Sequence, residues 1–266
     1  MRTWNFWEPL GQDIRYAFRG MAGSKLLTSM AVFSLALGIG ANTAIYSFMN
    51  AVMLRALPVK HPEQLVILNW RAKAEAPVVH SHWGSSYAEP GGGSSSPNFP
   101  YPAYEMLRDH NDVLASLFGH MGAGRLDLVI DGQAALAHGQ YVTGGVFQAL
   151  GVPPAAGRLI DRDDDRAGAP NIAVLTDDYW HSRFGGSLSA IGKSIQINGI
   201  PFTIAGVSAP EFYGVSPADK PSVFLPMANM GLTHPQPDGQ AMFHDGTYYW
   251  IELMGRLKPG VTIAQA

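Results

Sequence analysis

The sequence predicts an α+β protein on a membrane segment: an N-terminal interfacial helix, one transmembrane helix, and then an extracytoplasmic mixed α+β domain. Three observations predict it. No charged residue occurs from Leu26 to Leu54, a run of 29 residues, and a helix needs only about 20 to cross the hydrocarbon of a bilayer. Beyond Leu57-Pro58 the composition becomes that of a folded soluble domain. That part mixes short apolar runs of strand length with runs of helical period, separated by Gly, Pro and Asn-Gly turn signals, which is the α+β pattern. The boundaries are 1–25 for the interfacial helix, 26–55 for the span and 56–266 for the outside domain.

Composition narrows the function. Charged residues are 15% of the chain and hydrophobic ones 47%; soluble proteins usually carry about 25% charged residues, so the shortfall points to membrane contact. A net charge of -3 and a pI near 6.3 give no global attraction to nucleic acid. Without cysteine there are no disulfides, thiolate metal sites or cysteine nucleophiles. At 266 residues the chain has room for one large domain or two small ones, which leaves a two-lobed outside domain open.

The N-terminal segment shows a helical period over residues 4–21. Trp7, Leu10, Ile14, Phe18 and Met21 share one face, while Gln12, Asp13, Arg15 and Arg19 fall mostly elsewhere. Such a helix lies on the inner leaflet or packs on another protein segment. Gly20, Gly23 and Ser24 form an elbow into the span. The span could also be read as a signal peptide, because small residues follow Ile39 at Gly40, Ala41 and Ala44. The apolar run continues through Ile45, Phe48, Val52 and Leu54, so an uncleaved anchor is expected. Arg2, Arg15, Arg19 and Lys25 precede the span and only Arg55 and Lys60 follow it closely, which puts the N-terminus in the cytoplasm. Ala36, Gly40 and Ala44 form a small-residue stripe against which another transmembrane helix can pack closely.

In the outside domain, Gln64 to Trp70 reads as a strand and residues 71–98 as a flexible Gly/Ser-containing surface loop. Tyr101, Tyr104, Leu107, Leu114 and Phe118 keep a helical period, with a weak point at Asp109-His110-Asn111-Asp112. Leu126 to Ile130, the Asp131-Gly132 turn and Ala134 to Val142 predict one hairpin. Val146 to Leu150 is a helical turn stopped by Gly151. Ala173 to Leu175 is a buried strand, and Thr176 is placed to cap a helix that ends at Gly185-Gly186. Ile195 to Val207, turning at Asn198-Gly199, predicts a second hairpin; Val223 to Leu225 and Tyr249 to Leu257 add two strands.

No motif carries catalysis. Gly192-Lys193-Ser194 lacks the Gly a phosphate-binding loop needs, since Ser187 holds that position and a hairpin follows; Lys193 reads as a solvated strand-end residue. Asp161, Asp163, Asp164 and Asp165 lack the Gly and Glu of a calcium loop, where Arg166 and Ile172 stand, and read as a solvated acidic turn. His80 and His82 have no third ligand in view, and zinc takes three or four; exposed loop histidines are expected. Neither a catalytic, cofactor nor metal site is expected, and the chain is not read as an enzyme.

Three stretches carry a resemblance: Asp13-Ile14-Arg15-Tyr16-Ala17-Phe18-Arg19, Leu35-Ala36-Leu37-Gly38-Ile39-Gly40-Ala41-Asn42-Thr43-Ala44-Ile45-Tyr46-Ser47, and Leu54-Arg55-Ala56-Leu57-Pro58. They resemble the N-terminal end of MacB/FtsX-type ABC transporter permeases, most closely the large duplicated orphan permeases. Leu150-Gly151-Val152, Ala190-Ile191-Gly192-Lys193 and Gly255-Arg256-Leu257-Lys258-Pro259-Gly260-Val261 look like that family's periplasmic core domain. The resemblance implies a bacterial inner-membrane subunit, three further transmembrane helices, a cytoplasmic ATPase partner, and motion passed to the outside domain for export or to activate a periplasmic partner. The chain ends at Ala266 with no further apolar span. It is therefore expected to be the front of a longer permease, or else a single-pass anchored binding or regulatory module that is not itself a transporter.

Overall fold

The computed structural model describes residues 15–16, 19–49, 58–73, 79–216, 219–234 and 241–266. It divides into two units, Met1–Arg55 and Ala56–Ala266. In the first unit, residues 19–23 are helical, Ser24 interrupts, and helix α1 runs from Lys25 to Met49. Most of the expected interfacial helix lies outside the described residues. Among the described residues, Lys25–Ser47 is the one helical stretch long and apolar enough to cross a membrane, with a mean hydropathy of 1.5. Two of its hydroxyls are satisfied within the helix: Ser29 Oγ donates to Lys25 O at 2.8 Å and Thr43 Oγ1 to Ile39 O at 2.8 Å, as hydrocarbon surroundings favour.

The second unit is built around a closed circuit of strands. In chain order its elements are β1 (Leu65–Ile67), β2 (Trp70–Ala72), β3 (Ser81–His82), β4 (Tyr87–Ala88), β5 (Ser94–Ser96), β6 (Asn98–Phe99) and helix α2 (Tyr101–Asp109). Then come β7 (Leu114–Ile130), β8 (Gln133–Val142), helix α3 (Val146–Leu150), β9 (Pro154–Gly157), β10 (Ile172–Leu175) and helix α4 (Asp177–Phe184). The last are β11 (Ser194–Ile197), β12 (Ile200–Ser208), β13 (Val223–Pro226), the short helix α5 (Met230–Thr233), β14 (Tyr248–Tyr249) and β15 (Ile251–Leu257). β7 pairs with β8, β8 with β13, β13 with β10, β10 with β12, β12 with β11, and β11 returns to β7. Closing a sheet on itself removes the free edges through which strands aggregate.

Each strand of the circuit sends side chains to one shared core, including Leu128, Tyr141, Leu175, Ile197, Phe202 and Val223. The opposite face carries a second core in which Phe147 of α3 packs edge-on against Phe224, with ring centroids 5.3 Å apart. β10 and β13 are buried at every position. They divide neighbouring residues between the two cores, Ala173 and Leu175 to one and Val174 to the other, so their sequences are continuous apolar runs without alternation.

Several expectations are corrected. Gln64 to Trp70 is not one strand: β1 joins the main sheet through β15, whereas β2 belongs to a separate sheet with β5 and β4. The stretch 71–98, expected as a loop, carries β3, β4 and β5, with Ser95, Ser96 and Asn98 buried. The helix beginning at Tyr101 ends at Asp109, and Leu114 to Phe118 open the 17-residue strand β7, because Leu117 and Phe118 face different cores. Thr176 stands at the N-cap of α4 without capping it; its hydroxyl donates to Ser222 O at 3.4 Å. The two hairpins do not form separate lobes, since β11 pairs with β7 and makes them one sheet.

Candidate functional site

The polar feature that organises the domain lies where β1 meets β15. On β15 the residues Ile251, Leu253 and Leu257 are buried in the main core, so Arg256 falls on the opposite face. Leu65 pairs with Arg256, which lays the segment leading into the domain beside its last strand. There the Arg256 guanidinium donates from Nε to Ala149 O at 2.7 Å and from one terminal nitrogen to His61 O at 3.0 Å and Gln64 Oε1 at 3.3 Å. Its other terminal nitrogen donates to Lys60 O. Only a planar fork of donors can gather four acceptors from two chain segments in this way. Lys60 N–H adds a bond to Leu150 O at 2.9 Å, so α3, β1 and β15 meet at one clasp.

A cleft of about 360 Å³ opens beside the clasp, lined by Lys60, Gln64, Gly145, Gln148, Arg162 and Arg256 among others. It adjoins a second cleft of about 290 Å³ through the shared residues Leu117, Gly145 and Arg162. In the second, Arg108 grips Asp109 through two bonds of 2.8 and 3.1 Å and lies 5.4 Å from the centre of the Tyr104 ring. The hydrogen bond from Arg108 holds the Asp109 carboxyl below its usual range. Asp165 forms part of the same wall; its Oδ2 accepts from Gly144 N–H at 3.0 Å and its Oδ1 from Ala228 N–H at 2.8 Å. Burial pushes its carboxyl up despite those bonds.

The acidic run is a solvated turn only in part: Asp161 and Asp163 are exposed, but Asp164 and Asp165 are not. Asp164 is buried and takes two bonds from Arg158, at 2.6 and 2.8 Å, plus the Asp161 N–H at 3.0 Å. Burial works to raise its carboxyl, but Arg158 and the backbone bond outweigh it and hold it low. Asp164 and Asp165 pin the chain between α3 and β10 rather than face solvent. Among the described residues no group of three or more histidines and carboxylates is arranged for a metal ion.

The remaining candidates fall apart in space. Lys193, just before β11, is half-buried and not simply solvated: it pairs with Asp131 at 2.8 Å, tying one hairpin turn to the neighbouring strand. His80 donates its backbone N–H to Thr247 O at 3.1 Å. His82 is half-buried on β3, not an exposed loop residue, with its Nε2 3.0 Å from Ser96 Oγ. Burial lowers its pKa. Ser96 is wholly buried, which withholds its hydroxyl from any substrate. One pairing that sequence reasoning missed is His120 of β7 with Glu252 of β15; only the cross-strand register brings them together.

The profile of the MacB-like periplasmic core domain matches residues 28–266. The chain belongs to that family. Solved structures agree at the level of fold. The periplasmic region of MacB from Actinobacillus actinomycetemcomitans superposes with a TM-score of 0.50 at 15% identity, covering 63% of this chain and 68% of that one. A domain of a permease protein from Porphyromonas gingivalis gives 0.50 at 14% identity, covering 78% of each chain. Comparison with curated protein sequences gives no match. The chain, a MacB-like core domain with an apolar N-terminal helix, is thus homologous to the periplasmic domains of MacB-like ABC transporter permeases.

Proposed function

We propose that this chain is the N-terminal part of an ABC transporter permease subunit, with its N-terminus in the cytoplasm and its main domain outside the inner membrane. In this reading a cytoplasmic ATPase drives movements of the transmembrane helices, and the outside domain converts them into export or into mechanical activation of a periplasmic partner. The observation that carries it is the Arg256 clasp. A domain that is moved by membrane helices needs a stiff joint where the chain leads into it, and Arg256 locks Lys60, His61 and Gln64 to β15. The excess of Arg and Lys before α1 supports the orientation, and the Ala36, Gly40 and Ala44 stripe supplies a surface for the other permease helices.

Reading the gene past the codon for Ala266 tests the proposal. The expected result is a frame that continues into three further apolar segments and a product that co-purifies with an ATP-hydrolysing subunit. An immediate stop codon, with no associated ATPase, would overturn it in favour of a single-pass binding module. The stripe has its own test: Gly40→Leu should weaken helix association in the membrane, and unchanged association removes the stripe from the reading.

A further inference from the structure

We propose that the larger cleft is a binding site for a phosphate-bearing ligand. Three of the side chains lining it are permanent cations: Lys60, Arg162 and Arg256. Among the described residues none of the three has a carboxylate within ion-pairing distance. Arg256 spends its donors on carbonyl groups and one amide oxygen, and the Glu63 carboxylate acts on its charge only from beyond ion-pairing distance. The acids in the neighbourhood are engaged elsewhere. Glu63 is held by His61 at 3.2 Å, Asp109 by Arg108, and Asp165 by the N–H groups of Gly144 and Ala228.

The cations are arrayed along α3. Arg162 Nε lies 3.9 Å from the position a Cβ on Gly145 would take, and the Lys60 stem crosses Gly151 so closely that a Cβ there would sit 2.7 Å from it. Gly145 and Gly151 are the caps at the two ends of the helix, so the Arg162 and Lys60 side chains flank a five-residue helix about 8 Å long. Three positive charges on one wall, none closed by a salt bridge among the described residues, suit a multiply charged anion better than a single carboxylate. A phosphate ester offers terminal oxygens both to the Arg162 fork and to the Lys60 point charge. The ligand is either a phospholipid headgroup or a soluble phosphate ester. Its recognition does not rest on the permease reading.

The test uses the full chain in neutral detergent, titrated by calorimetry with glycerol 3-phosphate, with dihexanoyl phosphatidylglycerol and with dihexanoyl phosphatidylcholine. The double variant Lys60→Gln/Arg162→Gln is the comparison, because among the described residues neither side chain makes a hydrogen bond or ion pair, and its melting temperature should match the wild type. Binding of an anionic probe that weakens at least about tenfold in the variant supports the site. Binding of both anionic probes assigns the phosphate itself, binding of phosphatidylglycerol alone assigns the lipid, and binding of glycerol 3-phosphate alone assigns a soluble ester. Failure of both to bind the wild type, or equal binding by the variant, would overturn the proposal.

Discussion

His120 faces Glu252 across β7 and β15, its Nε2 3.7 Å from the carboxylate oxygen Oε2. The imidazole is buried, and desolvation lowers its pKa from 6.5 to about 4. An unfolded chain therefore takes up a proton on residue 120 as pH falls through 6.5, whereas the folded domain refuses it until near 4. Stability from this residue is complete above pH 6.5 and is lost across that window, by about 3 kcal/mol at most. Glu252 has the opposite sign: burial and the Asp219 charge raise its pKa, so its protonation favours the folded state as pH falls. Urea melts between pH 7 and 4 should show a net loss of stability that flattens in His120→Gln and steepens in Glu252→Gln.

Arg256→Ala should lower stability by about 1–3 kcal/mol, because it deprives the carbonyl groups of Lys60, His61 and Ala149 of a donor. Arg256→Lys should recover little of this, since one ammonium cannot reach acceptors on both segments. Denaturant midpoints followed by tryptophan fluorescence measure both. A lysine variant equal to wild type would show that the fork geometry is unimportant.

Asp165→Ala should cost about 1–3 kcal/mol by leaving the N–H groups of Gly144 and Ala228 without their partner. Asp163→Ala should cost much less, because Asp163 is exposed and contributes to the turn through its backbone N–H, bonded to Asp161 Oδ1 at 2.9 Å. Equal losses in thermal melts would contradict the structural role given to Asp165.

Gly206→Ala should destabilise the domain by at least about 1–3 kcal/mol. A Cβ at Gly206 would lie 2.1 Å from Arg158 O and 2.7 Å from Ala156 O, where β12 meets β9, whereas a Cβ at Gly122 meets nothing within 4 Å. Gly122→Ala is thus the matched control, and a comparison of the two melting temperatures checks the packing.

Local chemistry made the two hairpin turns legible. Asp131-Gly132 and Asn198-Gly199 both turn with positive φ, at 51° and 77° and at 50° and 80°, as these dipeptides prefer. The start of β7 was illegible because its neighbours Leu117 and Phe118 serve different cores, which erases the alternation that marks a strand. Ser94-Ser95-Ser96 looked like a loop since its composition is polar, yet Ser96 is satisfied inside by His82 and Asn98. The Arg256 clasp joins residues 107 to 196 positions apart, and no spacing rule along the chain reaches that far.

The pairing of Leu65 with Arg256 means that the two chain ends of the antiparallel pair β1 and β15 emerge on the same side. Forces that draw those ends apart would peel the strands open one rung at a time, the weakest way to load a β-ladder. Forces that push or pull both ends together place no shear on it and carry the domain as a solid piece. Arg256 sits at the mouth of this zipper, where the first rung would fail. The joint is soft to spreading and stiff to thrust, so the direction of a pull, more than its strength, decides whether the domain opens or moves.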